Sequence, residues 1–239
     1  MYGYGYGMGY GYGFDWTYLL VIIGLLLSMA ASAKVKTTYN KYASVRSRRG
    51  ITAAQAAQQI LHDAGIYDVQ IQHISGNLTD NYNPTDKVLR LSDATYSSTS
   101  VAAIGVAAHE CGHAIQHQVG YAPLKLRSAS VPIANIGSQL SFPIIFLGLL
   151  LGYTGLAQIG VVLFLFVVLF QLITLPVEFD ASHRALKILD ESSMLMGEEM
   201  DGAKKVLKAA ALTYVAALFS SILQLLRLIM LTQRGQRRR

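Results

Sequence analysis

Long uncharged apolar runs constrain this chain more than any other feature. Tyr18 to Ala33 contains no Asp, Glu, Lys or Arg. Neither do Ile144 to Tyr153 and Leu156 to Leu175, and the first of these extends back to Ile133 without meeting a charge. A helix needs ~20 apolar residues to cross the ~30 Å hydrocarbon layer of a bilayer. Composition agrees: 52% of the 239 residues are hydrophobic and 14% are charged, where soluble domains carry about 25% charged residues. Such values exclude a disordered or fibrous protein and argue against an ordinary cytosolic enzyme. They fit membrane spans joined to one modest polar unit.

The charges say which way the spans run. Lys34, Lys36, Lys41, Arg46, Arg48 and Arg49 follow the first run, and no Lys or Arg precedes it. The bias of basic residues toward the cytoplasmic side puts residue 34 onward inside and the Tyr/Gly tail of residues 1–14 outside, with Trp16 and Tyr18 as interfacial anchors. Tyr153, Thr154 and Gly155 alone separate the next two runs, which read as a hairpin that leaves and returns on one side, with a kink at Pro143. Leu207 to Leu231 is a fourth apolar stretch, interrupted by Lys208, Gln224 and Arg227. A span there would carry Arg234, Arg237, Arg238 and Arg239 outside, against the charge bias; a helix lying at the interface would keep them inside. Composition leaves both open. The net charge of +6 gives little support to nucleic-acid binding, because the basic residues flank apolar runs and lack an aromatic platform. A single cysteine, Cys111, allows no intramolecular disulfide and suits a reducing compartment.

Residues 51–132 read as a small α+β unit. Thr52 and Gln55 have the spacing of a capping box, and Gly65 ends the helix they start. Asp68 to His73 alternates as a half-buried strand, with Val69 and Ile71 on one face. Gly76 to Pro84 reads as a turn-rich loop, Lys87 to Ser92 as a second strand, and Ser100 to Gln118 as a helix broken by Gly120 and Pro123.

That last helix carries the chemistry. Residues 109–113 are His-Glu-Cys-Gly-His, an HExxH motif preceded by the apolar, small-residue run Val101 to Ala108. Residues four apart share a helix face, so His109 and His113 can offer imidazole nitrogens to one metal ion. Glu110 lies beside them, placed to take a proton from water. Cys111 lies about 200° around the helix from His109 and is poorly placed as a ligand. A hydrolytic zinc site wants a third protein ligand. His117 continues the spacing, but three turns of a straight helix do not converge on one ion. Among the acids Glu178 stands out: it follows Pro176 where the hairpin returns, and Asp180 competes with it. Asp190, Glu191, Glu198, Glu199 and Asp201 read as a solvated face. Six histidines are too few, and His62 and His73 too remote, for a histidine-box oxygenase.

HECGHAIQHQVGY together with LPVEFDASHRAL resembles the YugP-like family of membrane zinc metallopeptidases. LTDNYNP (78–84), VLRLS (88–92) and SVAAIGVAAHE (100–110) support the resemblance, which covers nearly the whole chain after the Tyr/Gly tail. That family is similar to the wider HtpX and CAAX-protease gluzincins, where a membrane hairpin also separates HExxH from a glutamate. The resemblance implies that His109, His113 and Glu178 bind zinc and that Glu110 is the general base. Two departures stand out. The wider gluzincins carry an Asp four residues after the third ligand, where this chain has Ser182. Asn81 and Asn83 replace the His and Asp of the family's LTDHYDP loop. His183 or Arg184 could steady an oxyanion, though a helix-surface role suits them as well.

The expected fold is therefore an α+β membrane protein, mainly helical, with a small zincin-like catalytic domain split around a transmembrane hairpin. Its expected parts are the tail (1–14), a first transmembrane helix (15–33) and a cytosolic zincin-like part bearing the HExxH helix (34–132). A transmembrane hairpin (133–176), a cytosolic segment with the third ligand (177–206), a transmembrane or membrane-associated helix (207–231) and a basic tail (232–239) follow. The expected activity is zinc-dependent endopeptidase hydrolysis, with Zn2+ at His109, His113 and Glu178 and water activated through Glu110. The expected place is the cell membrane, multi-pass, with the site facing the cytoplasm and acting on membrane-proximal protein or peptide. If Lys87 to Ser92 is a sheet edge, substrate could add there as a strand. The competing reading is an idle metal-binding scaffold.

Overall fold

The computed structural model describes residues 15–237, so the Tyr/Gly tail and the last two arginines lie outside the described residues. Among the described residues six helices and three strands follow in the order α1 (Tyr18–Ala43), α2 (Ala53–Asp63), β1 (Gln70–Ile74), β2 (Asn81–Asn83), β3 (Val88–Ser92), α3 (Val101–Gln118), α4 (Ala122–Leu150), α5 (Thr154–Glu191) and α6 (Glu198–Arg237). The chain is mostly helical, with one small sheet. By length and composition, α1, α4, α5 and α6 can each cross a membrane.

Every long helix overruns its apolar run. α1 continues past Ala33 and carries Lys34, Lys36 and Lys41 outward, because Lys and Ala are good helix formers and no Gly or Pro intervenes. α4 starts at Ala122 with a proline in its first turn, where the missing N–H costs nothing. α5 passes through Pro176 without ending and reaches Glu191, so Glu178 sits on the same helix as the apolar run rather than on a separate segment. α6 is likewise unbroken through Lys208 and Arg227. Arg227 lies over the Tyr18 ring, 4.3 Å from its centroid, a placement that partners a cation within an apolar helix pair.

The α2 capping box forms as expected: Thr52 Oγ1 accepts from Gln55 N and Gln55 Oε1 accepts from Thr52 N. The sheet departs from the sequence reading. Its order is β1-β3-β2, with β1 parallel and β2 antiparallel to β3. The strand expected from Lys87 is thus central, and Leu89 and Leu91 are fully buried. The loop expected over Gly76 to Pro84 supplies β2, an edge. Three residues are too short for an alternation to register in sequence.

One apolar core joins α2, β3 and α3 to the end of α5 and the start of α6, through Leu61, Leu89, Ile104, Leu189 and Leu207. α3 and α5 touch at their backbones. A Cβ on Gly112 would meet the Ala181 carbonyl oxygen at 2.6 Å. Gly112→Ala should therefore push the two helices apart and destabilise the protein by about 1–3 kcal/mol, the usual penalty of overpacking. Gly155, whose Cβ would meet nothing within 4 Å, is the control: Gly155→Ala should leave the thermal midpoint unchanged. Equal midpoints for the two variants would contradict the packing described here.

Candidate metal centre

Ser100 caps α3, its side chain accepting from Ala103 N. His109 and His113 then fall on one face, one turn apart, with ring centroids 4.8 Å apart and nearly perpendicular planes. The close contact at Gly112 brings α5 against that face, and Glu178 enters between the rings. Glu178 Oε2 lies 3.3 Å from His109 Nε2 and 3.6 Å from His113 Nε2. One ligand atom from each residue falls within 4.8 Å of the others, a grouping that could hold a metal ion.

The remaining atoms of these side chains are committed elsewhere. Glu178 Oε1 accepts from Arg127 Nη1 on α4 at 3.1 Å, while Oε2 is buried without a hydrogen-bond partner. His113 Nδ1 meets Gln116 Oε1 at 3.0 Å. Gln116 Nε2 donates to the Val177 carbonyl and to Asp180 Oδ2, each at 2.8 Å, which fixes the amide so that its oxygen faces the imidazole. Nδ1 must then donate, and the lone pair of His113 is left on Nε2. His109 Nδ1 meets Ser182 Oγ at 3.1 Å. Two imidazole Nε2 atoms and one unpartnered carboxylate oxygen therefore point at a common centre, with their other atoms held from behind. Such a donor set, nitrogen and oxygen with supporting hydrogen bonds, fits zinc.

Glu110 is buried and its carboxylate makes no hydrogen bond or ion pair with the described residues. Burial pushes its pKa above the ordinary carboxylate value, against the pull of His109 and His113. Burial also works against the charged form of Glu178, but the two imidazoles outweigh it and hold that carboxyl below the usual range. Two cavities, of about 440 and 220 Å3, both reach His109, Glu110, Glu178 and Tyr214. The cluster thus lies where they meet. Asn81 and Tyr82 of the β2 edge line the larger one, so the exposed strand at the site is β2 and not the central strand from Lys87.

Other candidates fall outside the cluster. His117 Nδ1 bonds the Tyr82 hydroxyl at 2.8 Å. Asp180 accepts from Gln116 and from Arg184 Nε, the latter at 2.6 Å; Arg184 also covers the Tyr121 ring. His183 is exposed. Asn83 takes up Thr85 N and Asp86 within the turn, and Asn81 bonds the Thr79 carbonyl. Cys111 is buried on the far side, against the Ala57 carbonyl. Sequence reasoning missed Gln116, Arg127 and Tyr214. Arg127 had a signal: a lone arginine near an apolar helix is costly unless paired. Gln116 and Tyr214 had none, since their roles depend on how α5 and α6 pack.

The Gln116 bridge makes a specific demand. Gln116→Leu should keep the fold and weaken metal binding about 10–100-fold, the usual effect of losing a bond behind a liganding histidine. Zinc competition titration reads this directly, and unchanged affinity would mean that His113 needs no support from Gln116.

Comparison with known proteins agrees with this chemistry. The chain is 46% identical over 211 residues, 88% of its length and 93% of the relative's, to the "Putative membrane protease YugP" of Bacillus subtilis (strain 168). No solved structure matches. Residues 17–233 match the family described as "Putative neutral zinc metallopeptidase", and the chain belongs to that family.

Proposed function

We propose that this chain is an integral-membrane zinc endopeptidase of the gluzincin type, with His109, His113 and Glu178 as ligands and Glu110 as general base. The observation that carries this reading is the buried, unpartnered Oε2 of Glu178 facing two imidazole Nε2 atoms. A bare carboxylate oxygen in that position is costly unless a cation completes the cluster.

When bound, zinc supplies a Lewis acid that makes water nucleophilic near neutral pH and polarises the scissile carbonyl. Glu110 takes the proton of that water and returns it to the leaving amine. Tyr214 borders both cavities and offers a phenolic donor to the oxygen on which charge develops. The β2 edge is suited to hold an extended peptide by backbone hydrogen bonds.

The same reading assigns the regions. Residues 15–33, the α4–α5 hairpin (133–176) and residues 207–231 of α6 cross the bilayer. A zincin-like unit is split around the hairpin, its two parts being residues 34–132 and 177–206, and it faces the cytoplasm. Large apolar side chains exposed along α1, including Leu19, Ile22, Leu25, Leu26 and Met29, support membrane embedding. Substrates are then membrane-proximal proteins or peptides.

Two measurements test this. Glu110→Gln should lower cleavage of an unfolded model protein by at least about 100-fold, the low end of general-base assistance, while zinc content stays that of wild type. Full activity in the variant would require another base, and cleavage that survives a chelator would remove the metal from the reaction. Cysteine placed at position 48 should resist an impermeant thiol reagent in intact cells, and strong labelling there would invert the topology.

A further inference from the structure

A second site lies away from the metal centre, between α1 and α6. These helices run antiparallel and touch where Gly24 meets Ser220 and where Tyr42 meets Gly202. Between the two contacts a cleft of about 480 Å3 opens, reached by Lys34 and Lys41 from α1 and by Lys205 and Lys208 from α6. Lys34 and Lys41 are two turns apart and Lys205 and Lys208 one turn apart, so each pair projects from a single face. None of the four makes an ion pair with any described residue, although Asp201 stands one turn before Lys205. Lys41 instead rests on the Tyr42 ring. Thr38 adds a hydroxyl, and Ala209 and Leu212 form an apolar wall.

Four ammonium groups around one cavity raise its potential and favour an anion that can meet several of them together. Lys34 is the first charge after the apolar run of α1, so the cleft opens at the boundary between apolar and polar helix. We propose that this cleft binds a phosphate-bearing anion, its oxygens bridging the lysines of α1 and α6. A phospholipid headgroup with its chains along Leu212 and a free phosphate share this chemistry. The site needs neither metal nor turnover, so it stands or falls apart from the protease reading.

The test uses the full chain in detergent. Native mass spectrometry counts phosphatidylglycerol retained against phosphatidylcholine, and titration with inorganic phosphate measures binding of the free ion. Lys41→Gln/Lys208→Gln removes one charge from each helix. Lys36→Gln/Lys204→Gln removes the same charge from exposed positions outside the cleft. Each lysine near an anionic headgroup is worth about 1 kcal/mol, so the cleft pair should weaken binding about 30-fold at 1.36 kcal/mol per tenfold. The control pair should change it little, and thermal midpoints should stay close to wild type for both. Selective retention of phosphatidylglycerol, lost in the cleft variant, supports the proposal with lipid as the source. Phosphate binding without lipid preference, lost in the same variant, supports it with a soluble source. Binding of neither probe, or equal losses in cleft and control variants, overturns it.

Discussion

A carboxylate taken out of water must be met by positive charge or by hydrogen-bond donors, or it will not stay ionised. Glu178 is 2% exposed, and two helices supply what meets it. α3 brings His109 and His113, α4 brings Arg127, and α5 carries Glu178 itself. Without α3 and α4 the charge would be stranded. The centre is therefore also the tie between the HExxH helix and both arms of the α4–α5 hairpin. Gln116 and Ser182 add polar contacts between α3 and α5, and the close approach of Gly112 to Ala181 lies beside the same spot. Chemistry and packing make the same demand on the spacing of α3 and α5, and only glycine at position 112 satisfies both.

The continuity of α5 explains how a residue 65 positions after His113 in sequence arrives beside it. A hairpin of two apolar helices returns the chain to where it left, and a rigid helix running on through Pro176 fixes the height at which Glu178 emerges. A flexible linker after the hairpin would have let the carboxylate wander. Within the hairpin, small residues permit the close approach: a Cβ on Gly160 would meet the Ser141 carbonyl oxygen at 2.7 Å. Packing rather than hydrophobic burial draws helices together in apolar surroundings, so small residues at the seam carry much of that association.

What was legible in the sequence was whatever rests on local spacing. The capping box of Thr52 and Gln55, the pairing of His109 with His113 and the opposite orientation of Cys111 all follow from 3.6 residues per turn. Apolar length likewise marked the helices that can cross a membrane, though not their ends, because lysine and alanine prolong a helix as readily as leucine does. Strand order was not legible. β1 and β3 pair in parallel although β2 lies between them in sequence, and nothing in either strand's alternation says which one is central. Arg127 and Gln116 belong to a third kind: their neighbours in space lie 51 and 61 residues away, and only the packed helices bring them together.

Ser182 shows how one departure can be absorbed. The resemblance to the wider gluzincins leads one to expect an aspartate at this position. Here Ser182 Oγ reaches His109 Nδ1, and a hydroxyl can either donate or accept, so it orients the ring without adding charge. The carboxylate is present nonetheless, in a different place. Asp180 holds Gln116, and Gln116 holds His113. Support that a direct aspartate would give to one imidazole reaches the other through an amide. Arg184 in turn pairs with Asp180. In the proposed reading the set of ligands stays at three, the negative charge facing the centre is that of Glu178, and Glu110 stands beside it to move the proton.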